Sequence, residues 1–196
     1  TLAAAAAESD SWAPLDEVAP TAHLTIRSDR PVQAQLADVL GLGLGSPSGE
    51  VRLLAAARLR EFPYDSGEDA AAARLAAGKQ LLATLRREED AVVEAALLEA
   101  LQPLASVLEG HVEEADVAAL GERVREASAA PRDVRFGAVR LLGALRDPRP
   151  VPLLADEFDA LGDRDPDLRI ALLDALAASN GDMTGWLQTR VEAEQD

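Results

Sequence analysis

The chain has 196 residues, a formal net charge of −16, 48% hydrophobic residues and only 3% aromatics. Ala, Leu and Val can fill a core of closely approaching helices, whereas β-branched and aromatic residues are too scarce for an all-β fold. The acidic balance opposes binding to nucleic-acid phosphates and anionic membrane surfaces, and the absence of cysteine excludes disulfides, thiolate metal sites and cysteine nucleophiles.

Residues 1–29 read as an Ala/Pro-rich tether or extension, with Trp12 the one side chain able to dock it. His23–Arg27 alternates briefly, as a short extended segment would. The chain begins at Thr1 rather than Met and is read as a processed or excised fragment. No apolar run is expected to reach the roughly 20 residues of a membrane span. Lys79 is the only lysine among many arginines, a usage typical of GC-rich bacterial genomes, and a salt-adapted organism would also give an acid excess with few lysines.

Residues 30–196 read as a helical domain. Pro31 suits the first turn of a helix striped by Leu36, Val39 and Leu40, which Gly41, Gly43 and Gly45 end. The Gly-Leu-Gly-Leu-Gly run lacks the preceding strand and glycine spacing of a phosphate-cradling loop. Ser46-Pro47-Ser48 opens a helix carrying Val51, Leu54, Ala55 and Leu59, and Pro63 ends it. Asp65 and Ser66 cap the next, with Ala71, Leu75, Gly78, Leu82 and Leu85 inward. A second pair joins a helix through Val93, Ala96, Leu97 and Leu101, stopped or kinked at Pro103, to one over residues 113–127 through Val117, Leu120 and Val124. The third pair combines Val134, Ala138, Leu141, Leu142 and Leu145 with Val151, Leu154, Phe158 and Leu161. The fourth begins at Asp165-Pro166 with Leu168, Leu172 and Leu176, and a closing helix holds Met183, Trp186, Leu187 and Val191.

These elements repeat. The pattern of Val134–Leu145, VRFGAVRLLGAL, returns three more times: Val93–Leu101 reads VEAALLEAL and Leu168–Leu176 reads LRIALLDAL, nearly the same nine residues, while Val51–Leu59 is a looser copy. Their first residues fall 42, 41 and 34 positions apart, the size of a helix–turn–helix unit. Such a unit cannot bury both apolar faces alone, so neighbours must stack. The expected fold is all-α, an α-α superhelix of about four helical hairpins.

Residues 46–194 resemble HEAT-type repeats. The resemblance rests on Asp133-Val134-Arg135, Val51-Arg52, Leu168-Arg169, Ala55 and Ala138 at the fifth helical position, and the turns Asp147-Pro148 and Asp165-Pro166. It is weaker where Val93 is followed by Glu94. Tetratricopeptide repeats share the shorter period, but their Trp/Gly/Tyr and Pro signature is absent. The resemblance implies a polar ladder in the turn layer, onto whose positions Asp133, Arg135 and Arg169 fall, with Arg52 matching only its arginine.

It also implies a non-enzymatic protein–protein interaction scaffold that presents its second helices as a concave surface. The expected contact residues are Arg74, Lys79, Glu122, Arg125, Asp156 and Asp159, and the expected partner is a protein with a basic patch. Two other readings stand beside it: the extracytoplasmic half of a membrane-anchored bacterial regulator such as an anti-sigma factor, and a solenoid enzyme of the bilin-lyase type. No cofactor, metal or nucleic acid is expected. His111, Glu113, Glu114 and Asp116 form the only cluster with ligand chemistry, and two histidines in the chain cannot build a histidine-rich centre. The acidic residues Glu88/Glu89 and Asp163/Asp165/Asp167 read as solvated helix faces. No Gly-x-Ser-x-Gly elbow is present.

Overall fold

The computed structural model describes residues 32–64, 68–125, 130–179, 184–186 and 188. Trp12, the 23–27 segment, Asp65, Ser66, Met183, Leu187 and Val191 lie outside the described residues, as do the side chains of residues 32–36.

Nine α-helices and no strand occur among the described residues, an all-α fold compatible with stacked helical hairpins. The chain divides into two compact units, Thr1–Leu108 and Glu109–Asp196. The first contains α1 (Val32–Gly43), α2 (Gly49–Arg60), α3 (Glu68–Leu85), α4 (Ala91–Leu101), a 3-10 turn (Gln102–Leu104) and the short α5 (Ala105–Leu108). The second contains α6 (Glu114–Val124), α7 (Arg132–Leu145), α8 (Val151–Leu161) and α9 (Pro166–Ala178).

One packing scheme serves both units. In the first, α2 packs on α4 and α1 on α3, with α1–α2 and α3–α4 contacts closing the square. In the second, α7 packs on α9 and α6 on α8, closed by α6–α7 and α8–α9. We call α2, α4, α7 and α9 the A helices and α1, α3, α6 and α8 the B helices. The spacing pairs α4 with α6 in one hairpin. The structure instead sets α4 on α2 and α3, and α6 on α7 and α8. Pro103 is the physical reason. It stops α4, and a 3-10 turn and α5, which packs on α3, follow before α6 begins.

The core is leucine, alanine and valine. Leucines supply all of the largest fully buried side chains, and Phe158 is the one aromatic buried among the described residues. Small residues set how closely helices approach. A Cβ on Gly143 of α7 would lie 2.7 Å from the Ala175 Cα of α9, and one on Gly121 of α6 would lie 3.1 Å from Leu153 of α8.

Two local expectations shift in register. Leu54 is 42% exposed, and α2 buries Val51, Ala55, Ala56 and Leu59 instead. In α3 the buried stripe is Ala70, Ala73, Ala77, Leu81, Leu82 and Leu85, leaving Ala71 exposed and Leu75 half-buried. A run so rich in alanine offers several nearly equivalent stripes, and packing on α1 and α4 chooses among them. Ala91–Leu108 reaches the length and hydropathy of a membrane span, contrary to expectation, but half of it is buried inside the protein and Pro103 interrupts its helix.

Among the described residues the glycines with positive φ are Gly110 and Gly162, not those of the Gly41–Gly45 run. Gly41 is spatial instead, since a Cβ there would run into the Gln80 side chain of α3. Arg146 caps α7 with φ 53° and ψ 29°, a conformation that costs an L-residue with a Cβ about 1 kcal/mol. Arg146→Gly is therefore expected to raise stability by roughly 0.5–1 kcal/mol, read as an upward shift of the thermal midpoint.

Candidate functional site

The expected contact residues divide between two helical settings. Arg74 and Lys79 lie on α3. Lys79 is exposed, but Arg74 is turned to the connector after α2: it donates to the Tyr64 carbonyl at 3.3 Å and sits 5.6 Å over the Tyr64 ring. That ring stacks edge-on against Phe62 at 4.8 Å. Burial pushes the Tyr64 hydroxyl up to about 12, against the opposing charge of Arg74. In the second unit Glu122, Arg125, Asp156 and Asp159 are all exposed, on α6 and α8. Glu122 and Arg125 pair at 3.3 Å. At such exposure this pair contributes less than about 1 kcal/mol and is easily broken by a competing partner.

The turn layer is built differently from the implied ladder. Asp133 is exposed, and its neighbour Arg132 makes the bridge, donating to Asp165 at 2.7 and 2.9 Å and to Asp167 at 3.1 Å. Asp165 also accepts from the Leu168 N–H at 3.1 Å, so one carboxylate caps α9 and ties it to α7. Arg135 donates to the Val124 carbonyl at 3.1 Å and faces Glu157 at 3.7 Å. Arg169 pairs with Asp163 at 2.6 Å and lies 4.5 Å over the Phe158 ring, against which Trp186 also stacks at 5.4 Å. Arg149 joins the Asp147 carboxylate and reaches the Val112 carbonyl at 2.9 Å, which ties the turn before α8 to the one before α6.

In the first unit the equivalent junction is Arg52 with Glu88. The guanidinium grips both carboxylate oxygens, at 2.7 and 2.8 Å, and donates to the Ser46 and Pro47 carbonyls at 3.0 Å. Glu88 in turn accepts from the Glu89 and Asp90 N–H groups at 3.2 and 3.1 Å. Neither Glu88 nor Asp165 is a solvated-face residue as read from sequence: Glu88 is buried, and Asp165 is half-buried under Arg132. The signal was present in each acid lying just before or at the start of an A helix, one repeat after an arginine at the start of the preceding one.

A cleft of about 400 Å³ opens beside the Arg52–Glu88 junction, lined by Ser46, Thr84, Arg87 and Glu89 among others. Its buried hydroxyls have work already. The Ser46 oxygen accepts from the Ser48 N–H at 3.1 Å, and Thr84 donates to the Gln80 carbonyl at 2.9 Å. The cleft therefore presents a rigid polar seam joining α1, α2 and α3. Glu113 and Asp116 form a reciprocal capping box at the start of α6, while His111 is exposed. Among the described residues no group of three or more His, Cys, Asp and Glu is placed to hold a metal ion.

No protein-family model and no curated protein sequence matches the chain. The surface chemistry must therefore speak for itself. Hydrogen bonds from Arg132, then from the Leu168 N–H, hold the Asp165 carboxyl down at about 2. A carboxyl whose folded value lies below its unfolded value of about 3.9 stabilises above that range, and the contribution is lost as pH falls toward 2. Asp165→Asn keeps a capping oxygen but removes the charge. The variant is expected to be less stable at pH 6 and to show a flatter loss of stability between pH 4 and 2, measured by urea denaturation across that range.

Proposed function

We propose that the chain is a non-enzymatic protein–protein interaction scaffold that presents its B helices to a partner. The supporting observation is how the polar side chains are spent. The arginines at the starts of α2 and α7 are engaged in structural junctions, and Lys79, Glu122, Arg125, Asp156 and Asp159 are exposed on or beside the B helices, with Glu122 and Arg125 paired to each other. Exposed charge of this kind selects a partner by complementary potential and speeds encounter more than it adds affinity. In the second unit Glu122, Asp156 and Asp159 outnumber Arg125, so the complementary partner carries a basic patch there.

Photo-crosslinking tests the reading. A photoreactive residue at position 156 of α8 is expected to capture a partner from cell extract that the same residue at exposed position 140 of α7 does not. The combined change Glu122→Lys, Asp156→Lys and Asp159→Lys is expected to abolish that capture while leaving the helical circular dichroism unchanged. Capture that survives the reversal, or that arises only from position 140, refutes the proposal.

A further inference from the structure

Charge is spread unevenly over the B helices. Residues 70–87, which run through α3 and just past its end, hold Arg74, Lys79, Arg86 and Arg87 and none of the chain's 35 acidic residues. No other stretch without an acid is as long. The outer face of α3 is Ala72, Ala76, Lys79 and Gln80, and Arg86 and Arg87 follow at its end, all of them exposed. Its inner face, with Ala73, Ala77, Leu81 and Leu82, is buried where α3 packs on α1, α4 and α5. Helix α8 is the converse. It carries Asp156, Glu157 and Asp159 and no cation, and its outer face of Pro152, Asp156, Asp159 and Ala160 is exposed throughout.

The two faces complement one another. Lys79 stands near the middle of α3 and Asp156 at the middle of α8, and neither forms an ion pair with another described residue. Their neighbours on the same faces, Ala76 and Ala160, are small enough to let two helices approach within the usual packing distance of about 8–10 Å. Pairing two α8 faces would oppose acid with acid, and pairing two α3 faces cation with cation, so only the mixed pairing joins unlike charges. Net charges of −16 on both copies do not forbid it at physiological salt. The Debye length is then about 8 Å, so the facing helices dominate, whereas at about 0.01 M salt it is about 30 Å and whole-molecule repulsion prevails.

We propose that the partner of the α8 face is a second copy of this chain, the outer face of α3 in one copy docking on that of α8 in the other with Lys79 set against Asp156. The inference rests on the B-helix reading above and names its partner. The basic patch that Glu122, Asp156 and Asp159 select is carried by the chain itself, on α3.

Sedimentation velocity of the purified full chain tests it. At about 0.15 M salt the wild-type protein is expected to gain mass as its concentration rises, and to lose that association at about 0.01 M and again at about 1 M. Lys79→Glu and Asp156→Lys are each expected to weaken association about tenfold. An equimolar mixture of the two variants, and the two changes combined in one chain, are each expected to restore it, because the reversed pair is complementary again. A photoreactive residue at position 156 is expected to link two copies of the purified protein through α3. A wild-type protein that stays monomeric at every salt concentration overturns the inference. If position 156 still captures a different protein from cell extract, the B-helix function stands without it. Association that persists at about 1 M salt marks an apolar contact and also overturns the inference, as does association that survives Lys79→Glu or a mixture that stays monomeric. Unchanged helical circular dichroism in each variant separates loss of the contact from loss of the fold.

Discussion

Replacing Arg52 by methionine is expected to destabilise the protein by about 2–4 kcal/mol, because it strands a buried carboxylate. The Glu88 side chain is 4% exposed and that of Arg52 19%. Burial pushes the Glu88 carboxyl up, but the Arg52 hydrogen bonds and charge, with the Asp90 and Glu89 N–H groups, outweigh it and hold the group below its usual range. A lowered folded value means that the stabilisation is present at neutral pH and lost on acidification. Without Arg52 the burial effect dominates and the sign reverses. The deficit of Arg52→Met is then greatest at pH 7 and shrinks toward pH 4, where the carboxyl is protonated. Urea unfolding at the two pH values checks this, and a deficit that grows on acidification contradicts it. The double change Arg52→Met/Glu88→Met is expected to recover most of the loss, since apolar side chains of similar volume can replace a buried pair.

Gly143→Ala is expected to cost about 2 kcal/mol, although alanine is the better helix former by about 1 kcal/mol. The added methyl would sit 2.7 Å from the Ala175 Cα and 2.9 Å from its Cβ, so α7 and α9 must move apart. Because the nearest atom is backbone, Gly143→Ala/Ala175→Gly should not regain wild-type stability, whereas trimming a clash between two side-chain tips would. Thermal unfolding of the single and double variants distinguishes the cases. The strain also falls on the link between Arg132 and Asp165, which depends on the spacing of the same two helices.

How much of this was legible beforehand depends on the physical range of each interaction. Helix starts and stops are local. Pro103, the Asp165-Pro166 cap and the period of Val51, Val93, Val134 and Leu168 located the A helices because capping and proline geometry act within a few residues, whereas the 3-10 turn and α5 after Pro103 were not read. The register of α3 was not legible, since alanine on every side leaves no unique apolar stripe, and contact with α1 and α4 decides which alanines are covered. Of the residues expected to contact a partner, Lys79, Glu122, Arg125, Asp156 and Asp159 are exposed, while Arg74 is drawn to Tyr64, a neighbour ten positions away whose placement follows from the turn at Pro63.

Composition and periodicity by themselves determined an all-helical chain of stacked units with a leucine core, because burial of one apolar stripe per helix is written in the order of residues. Only the tertiary structure decided the pairing. Setting α2 beside α4 and α7 beside α9 is what turned Glu88 and Asp165 from apparent surface acids into junctions with Arg52 and Arg132. The distinction has a simple cause. A carboxylate's role depends on the cation and N–H groups that converge on it, and here the N–H groups are local but the cations arrive from 33 to 36 residues away in the chain.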